Sequence, residues 1–150
     1  MLVMTKTFLR AQLDALASGS TAAGLLDGAF VGFITAIAPP ATPDSVLADV
    51  TESANAAYAR VAFTGGIRRD SADGLKTEYL GPLASLTGDV ATPENIIGAI
   101  LCSAVSAGDL WAVDIFDEPF PLPDSNAELV IIPLYSETYG WDFGRSTVVS

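Results

Sequence analysis

Residues 110–122 read LWAVDIFDEPFPL, and the class of the chain turns on them. Three acids, Asp114, Asp117 and Glu118, fall within five positions, beside a tryptophan and two phenylalanines. They are either the carboxylates of an active site or the polar punctuation of a strand. Period-two alternation decides for a strand over 110–116. Leu110, Ala112, Asp114 and Phe116 take one face; Trp111, Val113 and Ile115 take the other, which is wholly apolar and is expected to meet the core. Asp114 then sits on the outer face, solvated or paired. Asp117 and Glu118 fall at the strand end, before a stiff connection through Pro119, Pro121 and Pro123. On this reading the three acids do not converge on one point.

The rest of the chain repeats the pattern. AFVGFITAI (29–37), YARVAFTG (58–65), IIGAILCSA (96–104), AELVIIPLY (127–135) and TYGWDFGRSTVV (138–149) are apolar or alternating runs. Proline, glycine, aspartate and asparagine clusters separate them, and such punctuation marks strands and turns. KTEYLGPLASLTG (76–88) reads as one strand or as two short ones broken at Gly81-Pro82. GGIRRDSADG (65–74) reads as a long polar turn or hairpin loop, and SVLADVTESANAAYA (45–59) as a short helix or an irregular excursion. TKTFLRAQLDALA (5–17) is the one helical pattern, with Phe8, Leu9, Leu13 and Leu16 near one face and Thr5 or Thr7 as its cap. The expected fold is mainly β: an antiparallel β-sandwich or jelly-roll-like single domain over 25–150, preceded by a short N-terminal helical arm over 1–24.

Composition narrows the function. The net charge is −11 and only seven residues are basic. Phosphate backbones and anionic lipids are bound through lysine and arginine, so neither nucleic acid nor membrane is expected as a partner. Half the residues are hydrophobic, which exceeds what one core absorbs and points to surface covered by other subunits. All the bases except Arg145 lie in the first 76 positions, whereas Thr77 to Gly144 holds eleven acids and no base. Such asymmetry orients a subunit against a charged neighbour. There is no histidine, so Ser-His-Asp, Cys-His and histidine-dependent metal chemistry are excluded. The lone Cys102 sits in an apolar run and reads as a buried small hydrophobe. The apolar stretch 22–38 is interrupted by Asp27 and glycines and ends in Pro39-Pro40, so it reads as loop and strand. The first residues carry no compact apolar segment of the kind a signal peptide needs, so synthesis in the cytoplasm without export is expected.

Two motifs carry a binding expectation. Arg68 and Arg69, adjacent in a polar loop of an acidic chain, suit bidentate contacts to a partner's carboxylates. Tyr139, Trp141 and Phe143 form an aromatic row at strand spacing, which is either core, interface or a platform for sugar rings. RRDSADG lacks the acid spacing of a calcium loop, and no phosphate-cradling glycine motif is present. No catalytic residue, cofactor or metal ligand is expected, because nothing supplies a nucleophile, a base and an orienting group together.

Three blocks carry a family resemblance: Thr42-Pro43 with Val46–Asp49, Thr51-Glu52 and Tyr58-Ala59-Arg60; Thr92-Pro93-Glu94-Asn95-Ile96-Ile97-Gly98; and Gly108 to Pro133. Together they resemble a family of small virion structural proteins of tailed bacteriophages and prophages. The resemblance implies a non-enzymatic structural protein in a virion. Within that context, the apolar content, acidic surface and N-terminal arm suit a capsid decoration (cement) protein on the outer capsid. Its expected partners are the major capsid protein and copies of itself, as a homotrimer. The expected contact residues are Arg10, Arg60, Arg68 and Arg69, on a basic side facing the shell. The alternatives are a tail or baseplate component, and a carbohydrate-binding module using the Tyr139/Trp141/Phe143 row.

Overall fold

The run that reads IIGAILC is apolar at every position, and the reason is that its strand is covered on both faces. The structure, a computed structural model, describes residues 1–19, 27–63, 67–70, 77–81, 83–136 and 140–149; of these, the side chains of 16, 67–70, 77–80 and 132–149 lie outside the description. In chain order the elements are β1 (Leu2–Met4), α1 (Lys6–Ala17), β2 (Phe30–Ile37), β3 (Val50–Glu52), β4 (Val61–Ala62), β5 (Ile67–Asp70), β6 (Thr77–Leu80), β7 (Ala84–Thr87), β8 (Glu94–Cys102), β9 (Leu110–Leu122), β10 (Ala127–Ser136) and β11 (Gly140–Val149). A single 3-10 turn, Leu47–Asp49, precedes β3. Every pairing among the described strands is antiparallel.

Two sheets result. The first runs β1-β9-β8-β2, and the far edge of β2 is shared by β4 at Phe30–Val31 and β3 at Ile34–Ile37. The second runs β11-β10, and the other edge of β10 is shared by β7 at Glu128–Ile131 and β6 at Leu134–Ser136, with β5 outside β6. The main core lies between them. Val31, Phe33, Ala99, Leu101 and Ala112 from the first sheet meet Ala84, Leu86, Leu129 and Ile131 from the second. The opposite face of the first sheet carries a second cluster, Ile34, Ile100, Cys102, Leu110 and Val113, with Ile37, Leu47 and Val50 packed against it. The mainly β, antiparallel, two-sheet expectation with one short N-terminal helix therefore holds.

The decisive strand differs from its expected form in three respects. It runs on through Asp117, Glu118, Pro119 and Pro121 to Leu122, because opposite Ile97 it bulges: Gly98 pairs Ile115 and Ile96 pairs Phe120, leaving Phe116 to Pro119 facing one residue. Proline is tolerated where the ladder is broken. A second irregularity, between the pairs Leu101–Ala112 and Cys102–Leu110, leaves Trp111 without a partner on β8. Trp111 joins the main core, and the two faces are not those of simple alternation: Ala112 faces the second sheet, while Val113 and Ile115 belong to the opposite cluster. Finally, Asp114 is paired rather than solvated: its side chain is 17% exposed, with a carboxylate oxygen 3.4 Å from the Met1 amino group.

The N-terminal segment is fastened to β9. Thr5, 1% exposed, caps α1: its Oγ1 accepts the Phe8 N–H at 3.2 Å and donates to the Leu110 carbonyl at 2.6 Å. Phe8 is fully buried, its ring 5.4 Å from that of Trp111. Of its expected apolar row the helix buries Phe8, whereas Leu9 and Leu13 face solvent, 42% and 66% exposed, and the Leu16 side chain lies outside the description. The boundary expected at residue 24, and much of the linker before it, lie outside the described residues. GGIRRDSADG is not wholly loop: 67–70 form β5 against β6, and the expected hairpin tip, 71–76, lies outside the described residues.

Two leucines test this core. Leu129 is fully buried between the sheets and Leu83 is 59% exposed. Leu129→Ala should cost about 2–5 kcal/mol in urea unfolding, and Leu83→Ala under about 0.5 kcal/mol.

Candidate functional site

The densest polar constellation among the described residues is Glu52, Tyr58 and Arg60. Glu52 ends β3; Tyr58 and Arg60 lie in the extended segment leading into β4. Tyr58 and Val61 pack against the main core, Phe63 is buried in it, and the Arg60 charge reaches Cys102 of the second cluster. The guanidinium grips Glu52 in a fork: Nε donates to Oε2 at 3.0 Å and Nη2 to Oε1 at 2.5 Å. Nη1 donates to the carbonyls of Ala104 and Ala107, both at 2.8 Å. The Tyr58 hydroxyl donates to Glu52 Oε2 at 2.5 Å and accepts the Phe33 N–H at 3.2 Å. Gly32 leaves room for this: a Cβ there would lie 2.5 Å from the Tyr58 oxygen and 3.3 Å from Glu52 Oε2.

The electrostatics follow from the contacts. The hydrogen bond from Arg60, against the opposing effect of burial, holds the Glu52 carboxyl below its ordinary value. Burial, then the Glu52 carboxylate, push the Tyr58 phenol up. Cys102 lies close enough to feel Arg60, and burial pushes its thiol up to about 12. A thiol so placed stays protonated and unreactive at neutral pH.

A shallow, open depression of about 400 Å³ lies beside the network, lined by Glu52, Tyr58–Arg60 and Val105–Ala107. The charged groups that line it are largely committed to one another. Both Glu52 oxygens accept hydrogen bonds, and Arg60 uses four of the five N–H donors of a guanidinium. The constellation therefore ties chain to chain: it joins β3, the β4 approach and the turn 103–109. That turn is closed by Ser103 N–H to the Asp109 carbonyl at 3.0 Å and Asp109 N–H to Ser103 Oγ at 2.8 Å. It includes Ala107 at φ 52°, a left-handed conformation that costs a non-glycine residue about 1–2 kcal/mol. Nearby, Glu94 accepts from Ser53 Oγ and the Ala54 N–H, each at 2.5 Å, and Asn55 Nδ2 donates to the Thr87 carbonyl of β7 at 2.8 Å. Among the described residues no group of three histidine, cysteine or acidic side chains is placed to hold a metal, and no helix is long and apolar enough to cross a membrane.

The four arginines expected at a contact surface are not gathered. Arg60 is buried, its side chain 4% exposed and wholly engaged inside the fold. Arg10 is exposed on α1, which packs against β9 of the first sheet. Arg68 and Arg69 fall in β5, at the edge of the second sheet, with side chains outside the description. In the aromatic row, Tyr139 lies outside the described residues; Trp141 and Phe143 sit in β11 opposite Tyr135 and Pro133, their side chains likewise not described. Of the three acids of 114–118, Asp114 is paired with the Met1 amino group, while Asp117 and Glu118 are exposed on the bulge. Sequence reasoning missed the Glu52–Arg60 pair. The only signal was alternation, which put Arg60 on the same face as Tyr58 within reach of a preceding acid. Compared with known proteins, the chain matches no family model and no curated protein.

Two outcomes test the network. Glu52 titrates below its unfolded value of 4.5, so it contributes stability that is present above that pH and is lost as the pH falls through the folded value. Glu52→Gln should flatten that limb in urea titrations across pH 3–6 (about the range in which carboxylates titrate). Arg60→Met should cost about 2–4 kcal/mol at neutral pH, below the figure for a fully sequestered pair because Glu52 keeps a quarter of its side chain in water. Adding Glu52→Gln should recover part of the loss.

Proposed function

We propose that this chain is a non-enzymatic virion structural protein: a capsid decoration protein that binds the assembled shell of a tailed phage and stabilises it. One observation supports the reading above others. The blocks that resemble the phage structural family coincide with the framework of the fold. Glu52, Tyr58 and Arg60 meet in one part-buried network, and Gly108 lies in the turn that Arg60 holds. The 92–98 block enters β8, and the 108–133 block is β9 and half of β10. The resemblance thus follows packing rather than a surface site. Most of the constellation's hydrogen-bonding capacity is spent within the chain, on Glu52, Tyr58 and the carbonyls of the 103–109 turn, which suits a rigid scaffold. Retention on a shell needs no deep pocket; several modest contacts per oligomer suffice, because each additional contact forms at high effective concentration.

The test is sedimentation of the purified protein with expanded, empty shells of the phage whose genome encodes it. Binding is expected to saturate at a fixed ratio to the major capsid protein and to raise the temperature at which the shells rupture. Absence from the shell fraction at micromolar protein, or recovery with isolated tails instead, would overturn the assignment.

A further inference from the structure

We propose that the face of the second sheet turned away from the main core is an interface, on which a second copy of this chain docks through the same face. The proposal does not rest on the decoration reading. β7 sets the parity: Ala84 and Leu86 are buried in the main core, whereas Ser85 and Thr87 are exposed. Register carries that parity across the sheet, because directly opposite residues share a face. Val130 pairs Ser85, and Ile132 and Leu134 follow it at alternate positions of β10. Leu134 pairs Leu80, and Leu80 pairs Ile67. Leu83, one step before β7, extends the register to Ile132 and is 59% exposed. Six aliphatic positions thus share one outward face. The half-buried Val130 packs against neither core cluster. The covers that the described residues supply belong to the first sheet: α1 packs on β9, and the segment between β2 and β4 lies over the second cluster.

Area and charge identify the occupant. β10 is ten residues long and four strands lie side by side, so the face measures on the order of 600 Å². Two such faces together reach the lower bound of a stable interface, about 1,200 Å². Charges stand mainly at its two ends. Glu128 marks one end. At the other, Arg69 is directly opposite Glu78, so that end is balanced rather than acidic. Arg69 takes this face and Arg68 the opposite one, so the two do not act as a single fork. Stacked with strands parallel, two copies would set Glu128 against Glu128. Stacked antiparallel about a twofold axis crossing the strands at Ile132, the Glu128 end of each copy lies over the Arg69 end of the other. The same axis sets Ile132 and Leu83 against their own counterparts, Val130 against Leu134, and Asp142, the one charge beside the aliphatic rows, against Ser146 of the second copy. In a chain of net charge −11, a face that is complementary to itself in this way is what an isologous contact requires.

The experiment is sedimentation velocity at micromolar protein, with circular dichroism and melting temperature as folding controls. The wild type is expected as a dimer, where the resemblance suggested a trimer. Leu83→Glu, at a site open to water in the single chain, should leave the fold intact and weaken dimerisation at least about tenfold, since the contact would bury an unpaired charge. Leu13→Glu on the exposed helix should leave dimerisation unchanged. Leu83→Cys treated with a short bismaleimide should yield a cross-linked dimer, because the axis brings the two positions together; Cys102 is fully buried and stays silent. A monomer, a trimer, a Leu83→Glu variant that associates like the wild type, or a Leu83→Cys variant that does not cross-link overturns this inference. Monomeric protein that still saturates phage shells would leave the decoration reading standing while this contact fell. A dimer sensitive to Leu83→Glu that ignores shells would do the reverse.

Discussion

The first sheet has apolar side chains on both faces, and most of the structure follows from covering them. Ile100, Cys102, Ile34 and Val113 point away from the second sheet as surely as Leu101, Phe33 and Ala112 point towards it. The second sheet covers one face. The other is left to the excursion between β2 and β4, which brings Leu47 and Val50 over the cluster and has only a 3-10 turn and a three-residue strand of regular structure. Such a segment has few ladder bonds of its own and must be held by side chains. Glu52, Ser53, Asn55, Tyr58 and Arg60 do so, bonding to the 103–109 turn, to β2, to Glu94 on β8 and to β7 of the second sheet. The excursion is in effect a third layer, fastened by polar contacts where the other two are fastened by apolar ones.

Arginine suits position 60 in a way lysine does not. The site asks for a carboxylate fork on one side and two carbonyls on the other, and a planar guanidinium supplies that set of directions at once. An ammonium has three donors and no fixed plane. Burial of the pair is not free, since desolvation opposes the Coulomb gain. The gain here is spread over positioning: the same side chain fixes β3 and stabilises a turn with a left-handed alanine. Gly32 completes the arrangement, because any side chain there would displace the Tyr58 hydroxyl that closes the Glu52 hydrogen bonds.

The regular elements were legible because period and punctuation are local properties. β2, β8, β10 and β11 fall within two residues of the runs that announced them, and α1 within one. What escaped was non-local. β1 is three residues long and exists because β9 offers it an edge. The bulges of β9 follow from pairing with β8, so simple alternation assigned Val113 and Ile115 to the wrong side, and the prolines within the bulge read as a strand end. Periodicity grouped Phe8 with Leu9 and Leu13, but the helix buries Phe8 and turns the leucines out; a twelve-residue pattern fixes spacing and not which edge of the stripe meets the sheet. Arg60 looked like a surface cation because charge was read without its partner. A lone arginine on an alternating strand gives no sign that a glutamate eight residues back will meet it once the chain has turned.

The charge distribution constrains how copies of such a chain can meet. With eleven acids and no base from Thr77 to Gly144, most ways of apposing two molecules bring like charges together. Salt damps that repulsion over a Debye length of about 8 Å at physiological strength, so it acts at close approach and little beyond. Association is therefore directed by exclusion as much as by attraction: the few exposed cations mark where close approach is tolerated.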